Sequence, residues 1–152
     1  MPEVHELAIE RVIDAPADAV WAAWTGHLAE WWCPRPWTTE LVELDLRSGG
    51  AFRTVMRGPN GEESPQDGVF LEVVPAARVV FTDAFRPGWV PQPPFFVAIM
   101  DYAAQGARTR FRGCARHWTA EAKAQHEGMG FAAGWGAVAG QLEEVARRIS
   151  RR

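Results

Sequence analysis

His117 is the side chain with the broadest chemistry in this sequence. It lies on a predicted strand over residues 109–118, on the face that also carries Thr109 and Phe111, and Tyr102 ends the strand before it. An inward-facing imidazole can bind a ligand or transfer a proton, because its pKa lies near neutral pH. A histidine that is partly buried and bonded to the backbone fits the same pattern, and the sequence leaves both interpretations open.

Glu72 is the second candidate for acid–base chemistry. It shares one face of a predicted strand over residues 67–74 with Phe70, whereas the other face is more apolar and carries Val69, Leu71 and Val73. A carboxylate on an inward face would need a partner or a raised pKa, and it could then orient a ligand or act as a general base. Alternation alone does not decide which face is inward.

The two cysteines, Cys33 and Cys114, predict neither a disulfide framework nor a metal site. Cys33 beside Trp32 could be a reactive thiol, but no histidine or acid lies at a recognisable spacing, and a free cysteine usually packs as a small hydrophobe. Cys114 and His117 are three apart on a strand, hence on opposite faces, so we predict no metal ligands. No phosphate loop, dinucleotide fingerprint or nucleophile elbow occurs, and no cofactor is expected.

Composition indicates one ordinary domain over residues 1–152. The chain has 152 residues, is 47% apolar and carries a net charge of −3, which gives no basic surface for nucleic acid or for an anionic membrane. No apolar run approaches the roughly 18–20 residues of a membrane span, and with two cysteines a reducing cytoplasm is the expected location. Eight Trp and eight Phe against one Tyr is the unusual statistic, because rings in that number either fill a thick core or line a cavity.

Residues 119–152 predict a long terminal helix with Thr119 as its N-cap. Apolar side chains recur at steps of three and four and form one stripe: Phe131, Trp135, Val138, Leu142, Val145 and Ile149. Glycines interrupt the pattern at Gly128, Gly130, Gly134, Gly136 and Gly140. Since each glycine costs roughly 1 kcal/mol against alanine, we expect the helix to depend on a sheet packed against its stripe.

Alternating patterns predict seven strands, over residues 7–14, 38–46, 52–57, 67–74, 78–83, 95–102 and 109–118. Two short helices are predicted over residues 17–25 and 27–33, and residues 85–94, with four prolines, predict a loop. Strands joined by hairpins and flanked by helices favour an α+β fold with an antiparallel sheet.

Several short motifs follow one another along most of the chain. They are Ile9-Glu10-Arg11-Val12-Ile13-Asp14-Ala15-Pro16 with Val20-Trp21-Ala22-Ala23-Trp24, Trp31-Trp32-Cys33-Pro34, Gly49-Gly50-Ala51-Phe52-Arg53, Gly68-Val69-Phe70-Leu71-Glu72-Val73, Arg78-Val79-Val80-Phe81-Thr82, and Gly134-Trp135 with Leu142. In this order the motifs resemble the START-like, helix-grip (SRPBCC) superfamily. The nearest branch is the bacterial group similar to the C-terminal domain of the activator of Hsp90 ATPase. Cys33 replaces that group's usual glycine, and Trp37 its frequent Phe, at what would be a cavity mouth.

The resemblance implies a curved antiparallel sheet of about six to seven strands around a long C-terminal helix, with two short helices after the first strand. It also implies an apolar cavity between the sheet and that helix, and an inward orientation for the Glu72 face. The residues expected to line the cavity are Trp24, Trp32, Trp37, Phe52, Thr54, Met56, Phe70, Glu72, Trp89, Phe96, Met100, Tyr102, Phe111, His117, Phe131 and Trp135. A filled aromatic core would explain the same rings.

Three functions stay open, of which we favour the first. It is the binding of a small apolar or aromatic molecule in the cavity. The second is a protein-interaction module related to Hsp90 ATPase activation, with an Hsp90-type chaperone as partner. The third is a cavity enzyme, a cyclase or hydrolase, that uses Glu72 or His117. A homodimer is expected on base rates alone.

Overall fold

A seven-stranded antiparallel sheet forms the body of the protein, whose computed structural model describes residues 3–151. Its strands are β1 (His5–Ile13), β2 (Thr38–Leu44), β3 (Ala51–Arg57), β4 (Glu63–Val74), β5 (Arg78–Thr82), β8 (Phe96–Gln105) and β9 (Arg108–His117), while β6 (Phe85–Arg86) and β7 (Val90–Pro91) pair in a separate hairpin. The order across the sheet is β1-β9-β8-β5-β4-β3-β2. The first two residues of the predicted domain and Arg152 at the end of the predicted helix lie outside the described residues.

Within residues 3–151, three α-helices complete the fold, α1 (Ala17–Gly26), α2 (Ala120–Gly128) and α3 (Phe131–Ser150), with one 3-10 turn at Leu28–Glu30. The predicted α+β class is confirmed, because a curved antiparallel sheet carries a long C-terminal helix. The core lies between the inner face of this sheet and helices α1 and α3. Within the described residues, no helix combines the length and the apolar composition needed to cross a membrane.

The terminal helical segment is divided in two, so the prediction of one helix over residues 119–152 is wrong. Thr119 does cap α2 as predicted, because its side-chain oxygen accepts a hydrogen bond from the Ala122 N–H at 3.1 Å. The break falls at Met129 and Gly130, where Gly130 has a φ of 91°, a left-handed conformation that glycine adopts without strain. As a result α2 packs on β1 and β9, whereas α3 packs on α1 and β1.

Two shorter segments also differ from the sequence prediction. Residues 27–33 form only the 3-10 turn instead of a helix, because Trp31 and Trp32 both pack on Trp24, with ring centroids 5.1 and 5.4 Å away, and draw the chain into the core. Residues 85–94, predicted as a loop, contain the β6–β7 hairpin. It turns at Gly88 and Trp89, which both have positive φ angles.

Polar contacts fix α3 to the chain that precedes it. Glu143 accepts hydrogen bonds from Arg11 Nη2 and from the backbone N–H of Asp14, each at 2.6 Å. Burial alone raises the pKa of Glu143, but the bonds from Arg11 and Asp14 outweigh it and hold the pKa below its ordinary value. Two residues earlier on the same helix, the buried Gln141 donates to the carbonyl oxygen of Cys33 at 2.8 Å. These bonds set how α3 lies over the sheet.

Candidate ligand-binding site

A cavity of about 490 Å³ lies between the inner face of the sheet and α3. Strands β3, β4, β5, β8 and β9 form its floor, α3 and the α2–α3 junction form its roof, and the segment after α1 closes one end. The predicted residues that line it are Trp32, Phe52, Thr54, Met56, Phe96, Met100, Tyr102, Phe111, Phe131 and Trp135.

One stripe of α3 supplies the roof. Its large side chains at the cavity are Phe131, Trp135, Val138 and Leu142. The rings of Phe131 and Trp135, four residues apart, have centroids 4.6 Å from each other. Gly134 lies on the same stripe, and a Cβ added there would meet no atom within 4 Å. Trp135 rests on Gly113 of β9, where an added Cβ would lie 3.3 Å from its ring. Glycines therefore leave room beside the rings and beneath Trp135.

Aromatic rings from several elements form a rigid part of the floor. The centroid of Phe52 lies 5.0 Å from Phe81 and 5.0 Å from Trp32, and Phe81 lies 6.0 Å from Phe96. These are tilted and edge-to-face arrangements, which stabilise a ring pair by about 0.5–1.5 kcal/mol beyond its burial. An apolar guest would meet ring faces and edges that are already held in place.

Among the polar groups that meet this apolar space, the buried Tyr102 phenol is held neutral. The Tyr102 hydroxyl accepts a hydrogen bond from Trp24 Nε1 at 2.7 Å. Burial raises the pKa of Tyr102 far above its ordinary value, so the phenol keeps its proton. At the β4–β5 end, Asp83 accepts the backbone N–H of Phe95 at 2.9 Å, and Asp67 lies 3.4 Å from Arg53. Asp83 thus has a hydrogen-bond donor within the protein, whereas Asp67 has an ion-pair neighbour but its buried Oδ1 accepts no hydrogen bond from residues 3–151.

Six predicted residues lie outside the cavity lining: Trp24, Trp37, Phe70, Glu72, Trp89 and His117. Trp24 and Phe70 are fully buried behind the wall, where Phe70 stacks on Phe52 at 4.8 Å. The ring of Trp37 lies against Gly58 near the β3–β4 turn. Trp89 is 54% exposed and contacts Phe85 of its own hairpin, so it does not cover the cavity.

Glu72 lies on the solvent side of the sheet, so the expectation that it faces the cavity is wrong. Its side chain is 51% exposed, and Oε2 lies 3.8 Å from Arg78 Nη1. The cause is a β-bulge between Phe70 and Glu72, where two steps along β4 oppose one step along β5. The extra residue reverses the alternation, so that Val73 and not Glu72 packs with Phe70 on the core.

His117 lies behind a second histidine that the sequence did not suggest. His117 is buried on the inner face of β9, as predicted from its alternation with Thr109 and Phe111. Its Nδ1 lies 3.0 Å from the His5 carbonyl oxygen, and its Nε2 lies 2.8 Å from Nδ1 of His126 on α2. His126, not His117, lines the cavity. His117 therefore affects the cavity only through its hydrogen bond with His126.

His126 gave no signal in the sequence, because α2 is polar along its length and has no apolar stripe that would mark an inward face. Phe81, also missed as a lining residue, could have been found. It alternates with Val79 on β5, and Val79 lies in the core.

Cys33 is buried close to the cavity, and its thiol is not activated. The Thr39 hydroxyl lies 3.0 Å from its sulfur as a hydrogen-bond donor, yet burial dominates and raises the pKa of the thiol. Among residues 3–151, no three His, Cys, Asp or Glu side chains form a group that could hold a metal ion.

Comparison with known proteins places the chain in a family. The family model described as activator of Hsp90 ATPase homolog 1-like protein matches residues 14–147. A crystal structure of a Nitrosomonas europaea protein is 35% identical, covers 97% of this chain and 97% of its own, and has a TM-score of 0.92. Structures from Mycobacterium smegmatis (22% identical, 95% of each chain, TM-score 0.77) and Arthrobacter aurescens (21% identical, 96% of this chain and 91% of that one, TM-score 0.82) share the fold. A search of curated proteins found no match.

The family match and the fold agree with each other. The matched residues begin immediately after β1 and end in the last turns of α3, so they include every element that borders the cavity. The chain belongs to the family of activator of Hsp90 ATPase homolog 1-like proteins and has the START-like helix-grip fold.

Proposed function

We propose that this protein binds a small, neutral, apolar or aromatic molecule in the cavity between the sheet and α3. The observation that carries the proposal is the cavity itself. Protein interiors are close-packed and contain few voids larger than a water molecule, yet about 490 Å³ is left open here. Ligand sites have volumes of about 300–1,000 Å³ and mainly apolar walls with few polar groups.

The chemistry of the walls supports a neutral guest. Rings of Phe52, Phe96 and Trp135 border the space, and the Tyr102 phenol is kept neutral by burial. Asp83 accepts a hydrogen bond from the Phe95 backbone, and Arg53 balances the charge of Asp67, although the buried Oδ1 of Asp67 accepts no hydrogen bond from the described part of the chain. A charged molecule would lose its hydration, which costs several kcal/mol, and it would gain no unpaired counter-charge in return. An uncharged ring system loses little on entering and gains contact with fixed rings.

Neither residue of the cavity-enzyme hypothesis lines the cavity. Glu72 lies on the solvent side, and His117 is separated from the cavity by His126. A chaperone-related role has the description of the matching family in its favour. It predicts a change in the ATPase rate of an Hsp90-type chaperone on mixing, and an unchanged rate at a saturating amount of this protein would count against it.

The binding proposal is tested by thermal melting with a panel of neutral mono- and bicyclic aromatic compounds, followed by native mass spectrometry of the purified protein. We expect several bicyclic compounds to raise Tm, since ligands that bind only the folded state stabilise it by mass action. The proposal would be refuted if no compound in the panel changed Tm and the native mass equalled that of the bare chain.

A further inference from the structure

A chain of hydrogen bonds determines which protons the two histidines carry. The His5 carbonyl oxygen can only accept, so Nδ1 of His117, at 3.0 Å, must carry a proton. In a neutral His117 the Nε2 atom then carries a lone pair, and it accepts a hydrogen bond from Nδ1 of His126 at 2.8 Å. A neutral His126 that donates through Nδ1 leaves its own Nε2 unprotonated. Among the described residues, no hydrogen-bond partner of that Nε2 is found.

Both histidines are buried, and burial keeps His126 uncharged. His117 and His126 are 6% and 9% exposed. Burial lowers the pKa of His126 below its ordinary value, so the ring is neutral near pH 7. The cavity therefore has a hydrogen-bond acceptor at the α2 end, and the acceptor has no fixed donor.

Aromatic rings surround this acceptor on several sides. Ring centroids of Phe95, Phe96, Phe131 and Trp135 lie 5.0, 5.5, 5.1 and 6.2 Å from that of His126. The imidazole of His126 therefore lies among aromatic rings at this end of the cavity. The part of a ligand that carries the donor is thus itself best placed on a flat aromatic ring.

We propose that the cavity selects phenols, neutral aromatic molecules whose hydroxyl group donates a hydrogen bond to Nε2 of His126. This inference rests on the proposed binding function and names the class of ligand. The His117 ring acts as a positioning residue, because its lone pair holds the proton of His126 on Nδ1.

Other functional groups fit this end less well. An ether or a ketone can only accept, and it would face a lone pair with no proton between them. A carboxylate would bring a charge against the same lone pair in apolar surroundings, and an ammonium ion would be dehydrated there. A phenol, with an ordinary pKa of about 10, is uncharged at neutral pH and is a hydrogen-bond donor.

The test is isothermal titration calorimetry at neutral pH with 2-naphthol and 2-methoxynaphthalene, which differ by the replacement of O–H with O–CH₃. Wild type and His126→Phe are compared. A hydrogen bond contributes a net 0.5–1.5 kcal/mol, so we expect 2-naphthol to bind wild type roughly two- to twelvefold tighter than the ether. His126→Phe should bring that ratio to about one.

A second measurement on wild type does not depend on the variant folding. Long-range ¹H–¹⁵N correlation spectra report which imidazole nitrogens are protonated. We expect Nε2 of His126 to be unprotonated in the free protein, and its resonance to shift on adding 2-naphthol but not on adding the ether.

The outcomes separate this inference from the proposed function. If both compounds bind with the same ratio to wild type and His126→Phe, the cavity binds aromatics but phenol selection is wrong. A protonated Nε2 in the free protein would also overturn it. If neither compound binds wild type, both the inference and the choice of cavity ligand fail together.

Discussion

Gly134 offers a way to close the cavity without damaging the fold. It lies on the cavity-lining stripe of α3 between Phe131 and Val138, and a Cβ there would meet no atom within 4 Å. Gly134→Leu adds an isobutyl group to this space and replaces a poor helix former with a good one. Helix propensity alone should stabilise the protein by about 0.8–1 kcal/mol, which for a chain of this length raises Tm by about 2–4 °C.

The same substitution should abolish the response to ligand. A ligand at about 100 times its Kd stabilises the folded protein by about 2.7 kcal/mol, so the wild-type Tm should rise by about 5–10 °C. In Gly134→Leu the new side chain occupies part of the space that the guest ring needs, and we expect most of that rise to disappear. Differential scanning calorimetry with and without 2-naphthol measures both effects in one pair of scans.

Gly136→Leu is the matched control. Gly136 lies on the same helix and its Cβ would also meet no atom within 4 Å, but it does not line the cavity. Both variants gain helix propensity, and only Gly134→Leu should lose the ligand shift. Equal ligand shifts in the two variants, or a Gly134→Leu protein that melts below wild type, would refute the placement of the binding space beneath α3.

Three further perturbations test the packing around the site. Gly113→Ala places a Cβ 2.7 Å from the Phe111 ring and 3.3 Å from the Trp135 ring, so unfolding in urea should show a loss of about 1–2 kcal/mol. An unchanged midpoint would mean that neither ring packs tightly on Gly113. Because the pKa of His126 is lowered, the contribution of this residue to stability is complete above the ordinary value of about 6.5 and is lost as the pH falls through the folded-state pKa. The Tm of His126→Phe should therefore depend less on pH than that of wild type between about pH 7 and pH 5. Parallel plots of Tm against pH for the two proteins would contradict this. Glu143→Gln weakens the hydrogen bond from Arg11 and should lower the free energy of unfolding by about 1–2 kcal/mol at neutral pH. Because the pKa of Glu143 is lowered, this difference from wild type should persist below pH 4.5 and vanish only as the carboxylate itself is protonated. Equal stability of the two proteins at neutral pH would show that this contact does not stabilise α3.

Local patterns in the sequence determine most of the fold. Alternation predicts the inner face of β9, where Thr109, Phe111 and His117 are buried, and steps of three and four predict the stripe of α3 that carries Phe131 and Trp135. These features depend only on the two repeat lengths of regular secondary structure, so they are visible in a single chain. The order of strands and helices then restricts the fold to an antiparallel sheet with helices packed on it.

The tertiary structure decides which polar groups reach the cavity. One extra residue at the β4 bulge moves Glu72 to solvent, and no composition rule marks that residue in advance. His126 enters the site from a polar helix because the break at Gly130 frees α2 to pack on β9. Whether rings fill the core or leave a space depends on the distance between α3 and the sheet. That distance follows from contacts between residues far apart in the chain, such as Trp135 on Gly113, which periodicity within any one segment does not encode.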